Sequence, residues 1–384
     1  MASTSVLARP ERRRALIERV TNHLDVVLLG AVLAVAGLSL LLIYSATRSR
    51  LERAGDDPLY FVKRQAVFIV LGLIVMVAVT LIDYRKYRDR GAIIYGGLVV
   101  LLLAVLSPLG SSSKGTQGWF QLPGGFQIQP SELCKVLLIV ALAGYLAQHR
   151  GDLDAKRLAI TCGLAGVPLA LVMLQPDFGT AIVMTVIVVA MLAVAGVRGR
   201  HLAIITIVAM VGVVGVVQVG LLKQYQVDRL TSFIDQSKDK SGATYNLDQS
   251  KTAIGNGGVV GRGLFAGSQT SGSFVPEQHT DFIFTVVGEE LGFLGGATLL
   301  ALFGIIVWRI WRIAQESADM SGTLICVGVL ALVAVHVFEN VGMTMGIMPI
   351  TGIPLTFVSY GGSSTIGSFA AIGLVLNVHL HRFE

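Results

Sequence analysis

Asp281 closes a polar stretch, Phe274-Val-Pro-Glu-Gln-His-Thr-Asp281, and opens a long apolar run, so its carboxylate stands at a water–hydrocarbon boundary. At 100° per residue, Asp281, Thr285, Gly288 and Gly292 fall on one helical stripe, with Glu289 about 80° away and Glu290 opposite. A carboxylate beside hydrocarbon takes up a proton more readily than one in water and can act as a general base. The same position equally suits an N-cap at the start of a helix. His279, two residues earlier, reads first as a structural hydrogen-bonding group.

A second charged group lies in Gln129-Pro-Ser-Glu-Leu-Cys-Lys135. Pro130 suits a first helical turn, and Ser131 or Glu132 can serve its open N–H groups. Glu132 and Lys135 are three apart and share a helical face, an ion pair that is costly to keep in a bilayer. Such a pair lines a cavity or clamps helices together, and a clamp beside a cavity does both. Asp177, in Gln175-Pro-Asp-Phe-Gly-Thr180, sits in a tight turn between apolar runs, where it caps the next helix or meets a ligand. The stretch Gly255-Asn-Gly-Gly-Val-Val-Gly-Arg-Gly263 superficially matches a dinucleotide fingerprint, but no strand or βαβ unit precedes it. Its glycines instead allow tight turns or close backbone approach to another surface.

The elements that must position these groups are membrane spans. Of 384 residues, 53% are hydrophobic and 14% charged, which excludes disorder and an ordinary water-soluble domain. About 20 apolar residues cross a bilayer as a helix. Ten runs qualify, near 26–46, 65–82, 92–109, 133–148, 158–174, 179–197, 202–222, 282–308, 322–339 and 363–379. The first follows Arg12-Arg13-Arg14, but it is too long for a signal sequence and no small-residue cleavage site follows. With the N-terminus inside, the inner segments hold 17 Lys and Arg and the short outer loops 6, so both termini are expected to be cytoplasmic. The expected fold is an all-α polytopic membrane protein, one domain over 1–384, with a cytoplasmic tail (1–24) and a large extracytoplasmic loop (223–280) between helices 7 and 8. Residues 341–360 are apolar but broken by Gly342, Gly346, Pro349, Gly352 and Pro354, so they should be re-entrant or held against protein around a cavity.

The net charge of +6 is spread over membrane-flanking segments, and nucleic acid is not implied. Cys134, Cys162 and Cys326 lie in or beside apolar runs and suggest no disulfide framework. No clustered-His or Cys metal spacing and no serine-hydrolase elbow is present. Outside the long loop, polarity at membrane depth gathers on the non-cytoplasmic side.

Five blocks in order carry a resemblance: SKGTQGWFQLPGGFQIQPSELCK (113–135), LQPDFGTA (174–181), QSKTAIGNGGVVGRGLFAGSQ (249–269), FVPEQHTDFIFTVVGEELGFLG (274–295) and MGIMPITGIPLTFVSYGGSS (345–364). With the spans they cover nearly the whole chain, which resembles the shape, elongation, division and sporulation family. The resemblance implies a peptidoglycan glycosyltransferase that polymerises lipid II at the outer face of the bacterial cytoplasmic membrane. It places the family's essential aspartate on Asp281, its glutamate and lysine on Glu132 and Lys135, and its QPD aspartate on Asp177. Gln249, Ser250 and Lys251 fall in its QS block and His279 in its HTDF block, giving a substrate-binding set of Glu132, Lys135, Asp177, Gln249, Ser250, Lys251 and His279. The MPITGIP wording favours the elongation branch over the division branch.

Two positions depart from the family's pattern. Gly118 precedes Trp119 where an arginine is usual, so another cation, Lys114 or Lys251, would have to meet substrate phosphate. Thr356 stands where proline is common, which weakens the expected rigidity of that turn.

The implied reaction is attack by a sugar 4-hydroxyl on an anomeric carbon with loss of undecaprenyl pyrophosphate. An α-linked donor giving a β-1,4 product requires inversion, hence one base, for which Asp281 is expected. The resemblance further implies a divalent cation, magnesium or manganese, no organic cofactor, and a class B penicillin-binding protein as partner within the membrane lipids. A lipid flippase, a secondary transporter and a non-catalytic scaffold are the competing readings; one-sided polarity argues against the transporters, which place their site near the midplane.

Overall fold

The computed structural model describes residues 24–113, 116–149, 154–218 and 242–382. Most of the tail, Lys114, the last residues (219–222) of the seventh expected span and residues 223–241 of the long loop lie outside the described residues. Helices dominate: α1 Val26–Ala54, α2 Tyr60–Leu81, the short α3 Tyr84–Asp89, α4 Gly91–Leu106, α5 Pro130–Gln148, α6 Ala155–Leu174, α7 Phe178–Val194 and α8 Gly199–Gln218. After the undescribed stretch come α9 Ala243–Gly257, α10 Ser268–Gly272, α11 Ile283–Val286, a π-helical turn Val287–Leu291, α12 Gly292–Gln315, α13 Met320–Met345 and α14 Gly362–Leu380. A small antiparallel sheet, β1 Ser111–Ser113, β2 Thr116–Leu122 and β3 Phe126–Ile128, lies between α4 and α5.

Among the described residues, seven helical segments are long and apolar enough to cross a membrane, α11 to α12 counting as one. Among the described residues, the shorter apolar helices α4 and α7, and α8 over Gly199–Val208, stand where the other three expected spans fall. The starts are written locally: Asp25 accepts from the Leu28 N–H at 2.9 Å, Asp154 caps α6 through Arg157 N–H, and Asp319 caps α13 through Gly322 N–H. Gly55 and Gly346 end α1 and α13 in the left-handed conformation that glycine adopts without strain.

Helices α5, α13 and α14 are the most enclosed, while α2 and α6 present most of their surface outward. Their apolar side chains form one large cluster running from Leu28 to Val378, as expected where close packing of helices, rather than exclusion from water, holds a bundle together. A second, smaller cluster of Leu247, Ala253, Val275, Phe282, Met343 and Ile350 joins α9 to the end of α13.

The eighth span is not one continuous helix. Residues 287–291 form a π turn and Gly292 has φ +63°, so the stripe expected from Asp281 through Gly292 is broken. The cause lies in the glycine-rich loop after α9. Arg262 N–H donates to Glu289 O and Gly263 N–H to Glu290 O, both at 3.0 Å, while Phe293 and Leu294 N–H reach Gly258 O and Val259 O at 2.9 and 3.0 Å. The loop thus supplies the backbone partners that the break removes, as a non-helical segment at this depth requires. A Cβ on Gly257 would lie 1.9 Å from Gly288 O, and one on Gly261 2.1 Å from Glu290 O. This is the close backbone approach that the glycine density suggested.

The segment expected to be broken at 341–360 is helical to Met345 and irregular from there to Gly361. Its residues 353–359 are buried apart from Pro354, held against α13 and the chain around Asp281. It carries no proline at 356, yet its turn is closed: Val358 and Ser359 N–H reach Leu355 O, and Ser359 Oγ accepts from Leu355 N–H at 2.8 Å.

Candidate active site

Asp281 lies half-buried just before α11, where Phe282 holds the N-cap position without a side-chain cap bond. Its backbone is gripped from outside. Three successive carbonyls are each received by a donor: His279 O by Tyr360 N–H at 2.9 Å, Thr280 O by Ser359 Oγ at 2.5 Å, and Asp281 O by Asn340 Nδ2 at 2.8 Å. Asn340 is fully buried and gives its second proton to Ile353 O, also at 2.8 Å. One amide therefore ties Asp281 to the irregular segment after α13.

His279 is buried, its ring 4.6 Å from Phe61 and 5.6 Å from Tyr360 between centroids. Two cations border this aromatic group: the Arg50 guanidinium lies 5.6 Å from the Phe61 ring, and that of Arg64 4.6 Å from Tyr60 and 4.8 Å from Phe126. Arg64 also donates to Gly124 O and Gly125 O at 2.6 and 2.9 Å, fixing the turn before β3.

The expected pair forms. Lys135 Nζ lies 2.7 Å from Glu132 Oε1, with Lys135 2% and Glu132 7% exposed. The ammonium also meets His336 Nε2 at 3.0 Å, and His336 Nδ1 lies 2.9 Å from Thr356 Oγ1. His336 and Asn340 are four apart on α13, so their Cβ atoms are about 6 Å apart. The buried ion pair and the backbone of Asp281 are thereby held by adjacent turns of one helix.

Asp177 caps α7 through Thr180 N–H at 3.0 Å, as its turn position suggested. Its other oxygen accepts from Gln129 Nε2 at 2.9 Å and Ser131 Oγ at 3.3 Å, joining α7 to the start of α5 beside Glu132. Gln129 N–H in turn donates to Ser363 Oγ at 2.7 Å. On α9, Ser250 Oγ donates to Thr344 O at 2.6 Å, Lys251 runs along Gly346, and Gln249 is half-exposed. These three lie by the end of α13, on its α9 side. Glu289, which the stripe turned away from Asp281, accepts from Gln269 and Thr270 N–H and from Thr270 Oγ1 at 2.7, 2.9 and 2.8 Å, and Glu290 accepts from Ser45 Oγ. Both are held within the loop side of the protein.

Sequence reasoning passed over His336, Asn340, Ser359 and Tyr360. The first two had a signal: with Glu339 they are polar residues within an otherwise apolar span, where such groups mark function. Ser359 and Tyr360 act through backbone partners and carried none. Among the described residues no group of three or more His, Cys, Asp or Glu could hold a metal ion.

Comparison with known proteins places this architecture. The family described as "Cell cycle protein", grouping FtsW, RodA and SpoVE, matches residues 26–384. Stage V sporulation protein E of Bacillus subtilis is 35% identical, over 92% of this chain and 96% of its own length. Peptidoglycan glycosyltransferase MrdB of Escherichia coli is 35% identical over 94% of both chains, and the probable peptidoglycan glycosyltransferase FtsW of Geobacter metallireducens 34% over 92% and 94%. A solved structure described as "Structural coordination of polymerization and crosslinking by a peptidoglycan synthase complex" superposes with TM-score 0.79 and 31% identity, covering 94% of this chain and 99% of that one. The Thermus thermophilus rod shape determining protein RodA gives 0.69 at 29% identity, over 94% and 98%. The chain belongs to the FtsW, RodA and SpoVE family, the shape, elongation, division and sporulation proteins.

Proposed function

We propose that this chain is a peptidoglycan glycosyltransferase that joins lipid II units into β-1,4 glycan strands at the outer face of the bacterial cytoplasmic membrane, with Asp281 as general base. The observation that carries the reading is the convergence of a rigidly held Asp281 and a buried Glu132–Lys135 pair on neighbouring turns of α13. The catalytic glycosyltransferase names of two relatives supply the reaction class.

In this reading Asp281 takes the proton of the acceptor 4-hydroxyl as that oxygen attacks the anomeric carbon, and undecaprenyl pyrophosphate leaves with inversion. A positioned base typically contributes about 10²–10⁴-fold. Fixing three carbonyls around the base lowers the reorganisation needed at each turnover. Lys135, with Glu132 beside it, is assigned to substrate binding, as are Asp177, Gln249, Ser250, Lys251 and His279.

Ten spans with both termini cytoplasmic would put Asp281 outside. Stage V sporulation protein E, FtsW and MrdB relatives are all 34–35% identical, so the elongation role is supported by the MPITGIP wording and not by identity. A class B penicillin-binding protein is the proposed partner, supported by the cross-linking complex among the structural neighbours.

The test is product analysis of the purified chain incubated with lipid II, with and without that partner. Glycan polymer is expected; movement of labelled lipid II across vesicles without elongation would replace this reading by a flippase.

A further inference from the structure

The buried chain of contacts that ends at Thr356 assigns a role to a residue outside the expected site. Lys135 Nζ is an ammonium, which can only donate hydrogen bonds. At 3.0 Å it faces His336 Nε2, so that nitrogen must offer its lone pair. The proton of a neutral imidazole then sits on Nδ1, whose partner at 2.9 Å is Thr356 Oγ1. His336 is 1% exposed and Thr356 fully buried, leaving no solvent to substitute for either contact. Thr356 is therefore the residue whose hydroxyl receives the imidazole proton.

We propose that His336 is a positioning residue that acts through Lys135, with Thr356 holding the imidazole in its Nδ1–H form. Lys135 is directed from two sides, by Glu132 Oε1 at 2.7 Å and by His336 Nε2 at 3.0 Å. Because His336 and Asn340 share α13, and Thr356 belongs to the segment that Asn340 grips at Ile353, the ammonium and the backbone of Asp281 are set by one rigid unit. If the imidazole took the other tautomer, an N–H would face an N–H, and Lys135 would turn away. The role in turnover rests on the reading of Lys135 as part of the site.

The test combines spectroscopy with a mutant cycle, in the full chain with its partner. Nitrogen-15 NMR of histidine-labelled protein in membranes, with the His336 signal identified from its loss in His336→Gln, should give Nδ1–H in the native protein. A mixture of tautomers should appear in Thr356→Val. A native Nε2–H tautomer or an imidazolium would overturn the proposal. In lipid II polymerisation, Thr356→Val and His336→Leu should each lower kcat at least tenfold with a smaller change in KM. His336→Gln, which can both accept and donate, should recover much of the loss. Lys135→Met with Thr356→Val should be no slower than Lys135→Met alone. Multiplying effects, or a native kcat in both Thr356→Val and His336→Leu beside a disabled Lys135→Met, would remove the positioning role alone. A native rate in Lys135→Met would remove the reading of Lys135 itself.

Discussion

Replacing Asn340 by aspartate keeps the side chain's shape and removes the amide that grips Asp281. The native amide donates two hydrogen bonds of 2.8 Å from a fully buried position, to Asp281 O and Ile353 O. A buried acceptor left without its donor costs about 1–3 kcal/mol. An ionised aspartate would oppose both carbonyls with oxygen, and a protonated one could donate to only one, so at least one orphan remains and the expected cost is about 1–6 kcal/mol. Each 1.36 kcal/mol that falls on the arrangement of Asp281 needed for turnover slows it about tenfold. Asn340→Asp should therefore lower kcat for lipid II polymerisation at least about fivefold, with a smaller change in KM, and lower Tm. The assay is steady-state polymerisation by purified protein in membranes, paired with thermal unfolding. Native kcat together with native Tm would refute the claim that this amide holds the site.

Other outcomes follow from the same geometry. Gly261 has φ +81° and no room for a Cβ, whereas Gly196 has φ +91° and open space around it; Gly261→Ala should lower Tm well beyond the loss in Gly196→Ala, which pays only the left-handed strain of about 1–2 kcal/mol. Glu289→Gln weakens a carboxylate that receives two backbone amides, so hydrogen exchange at Gln269 and Thr270 should accelerate while α13 stays protected. At the far end, burial and then the neighbouring Asp319 carboxylate push Tyr84 up to about 12. A raised phenol contributes stability below its unfolded value near 10 that is lost as pH climbs through the folded one. Tm should thus fall between about pH 10 and 12, and Tyr84→Phe should flatten that part of the curve.

The helix positions were legible because hydrocarbon thickness fixes both length and polarity, so even α4, α7 and α8 start and stop close to where apolar runs do. The break at 287–291 was not. It depends on Gly257 and Gly261 meeting Gly288 and Gly292, a contact between residues some 30 apart that no local periodicity reports. At the site, Glu132 and Lys135 could be paired by spacing, whereas their third partner, His336, sits 201 positions from Lys135. Thr356 was visible as a departure from pattern, but its use as an acceptor for His336 required the packed segment. Asp177 shows the opposite case, where a local rule for helix starts foresaw the cap and the clamp to Gln129 and Ser131 lay beyond it.

The proposed chemistry turns on the carboxylate of Asp281. Asp281→Asn in the intact protein with its partner should still bind lipid II with near-native affinity and unfold at a near-native temperature, yet form no glycan strand above background. Strand synthesis at the native rate in that variant would contradict the assignment of the base and the mechanism built on it.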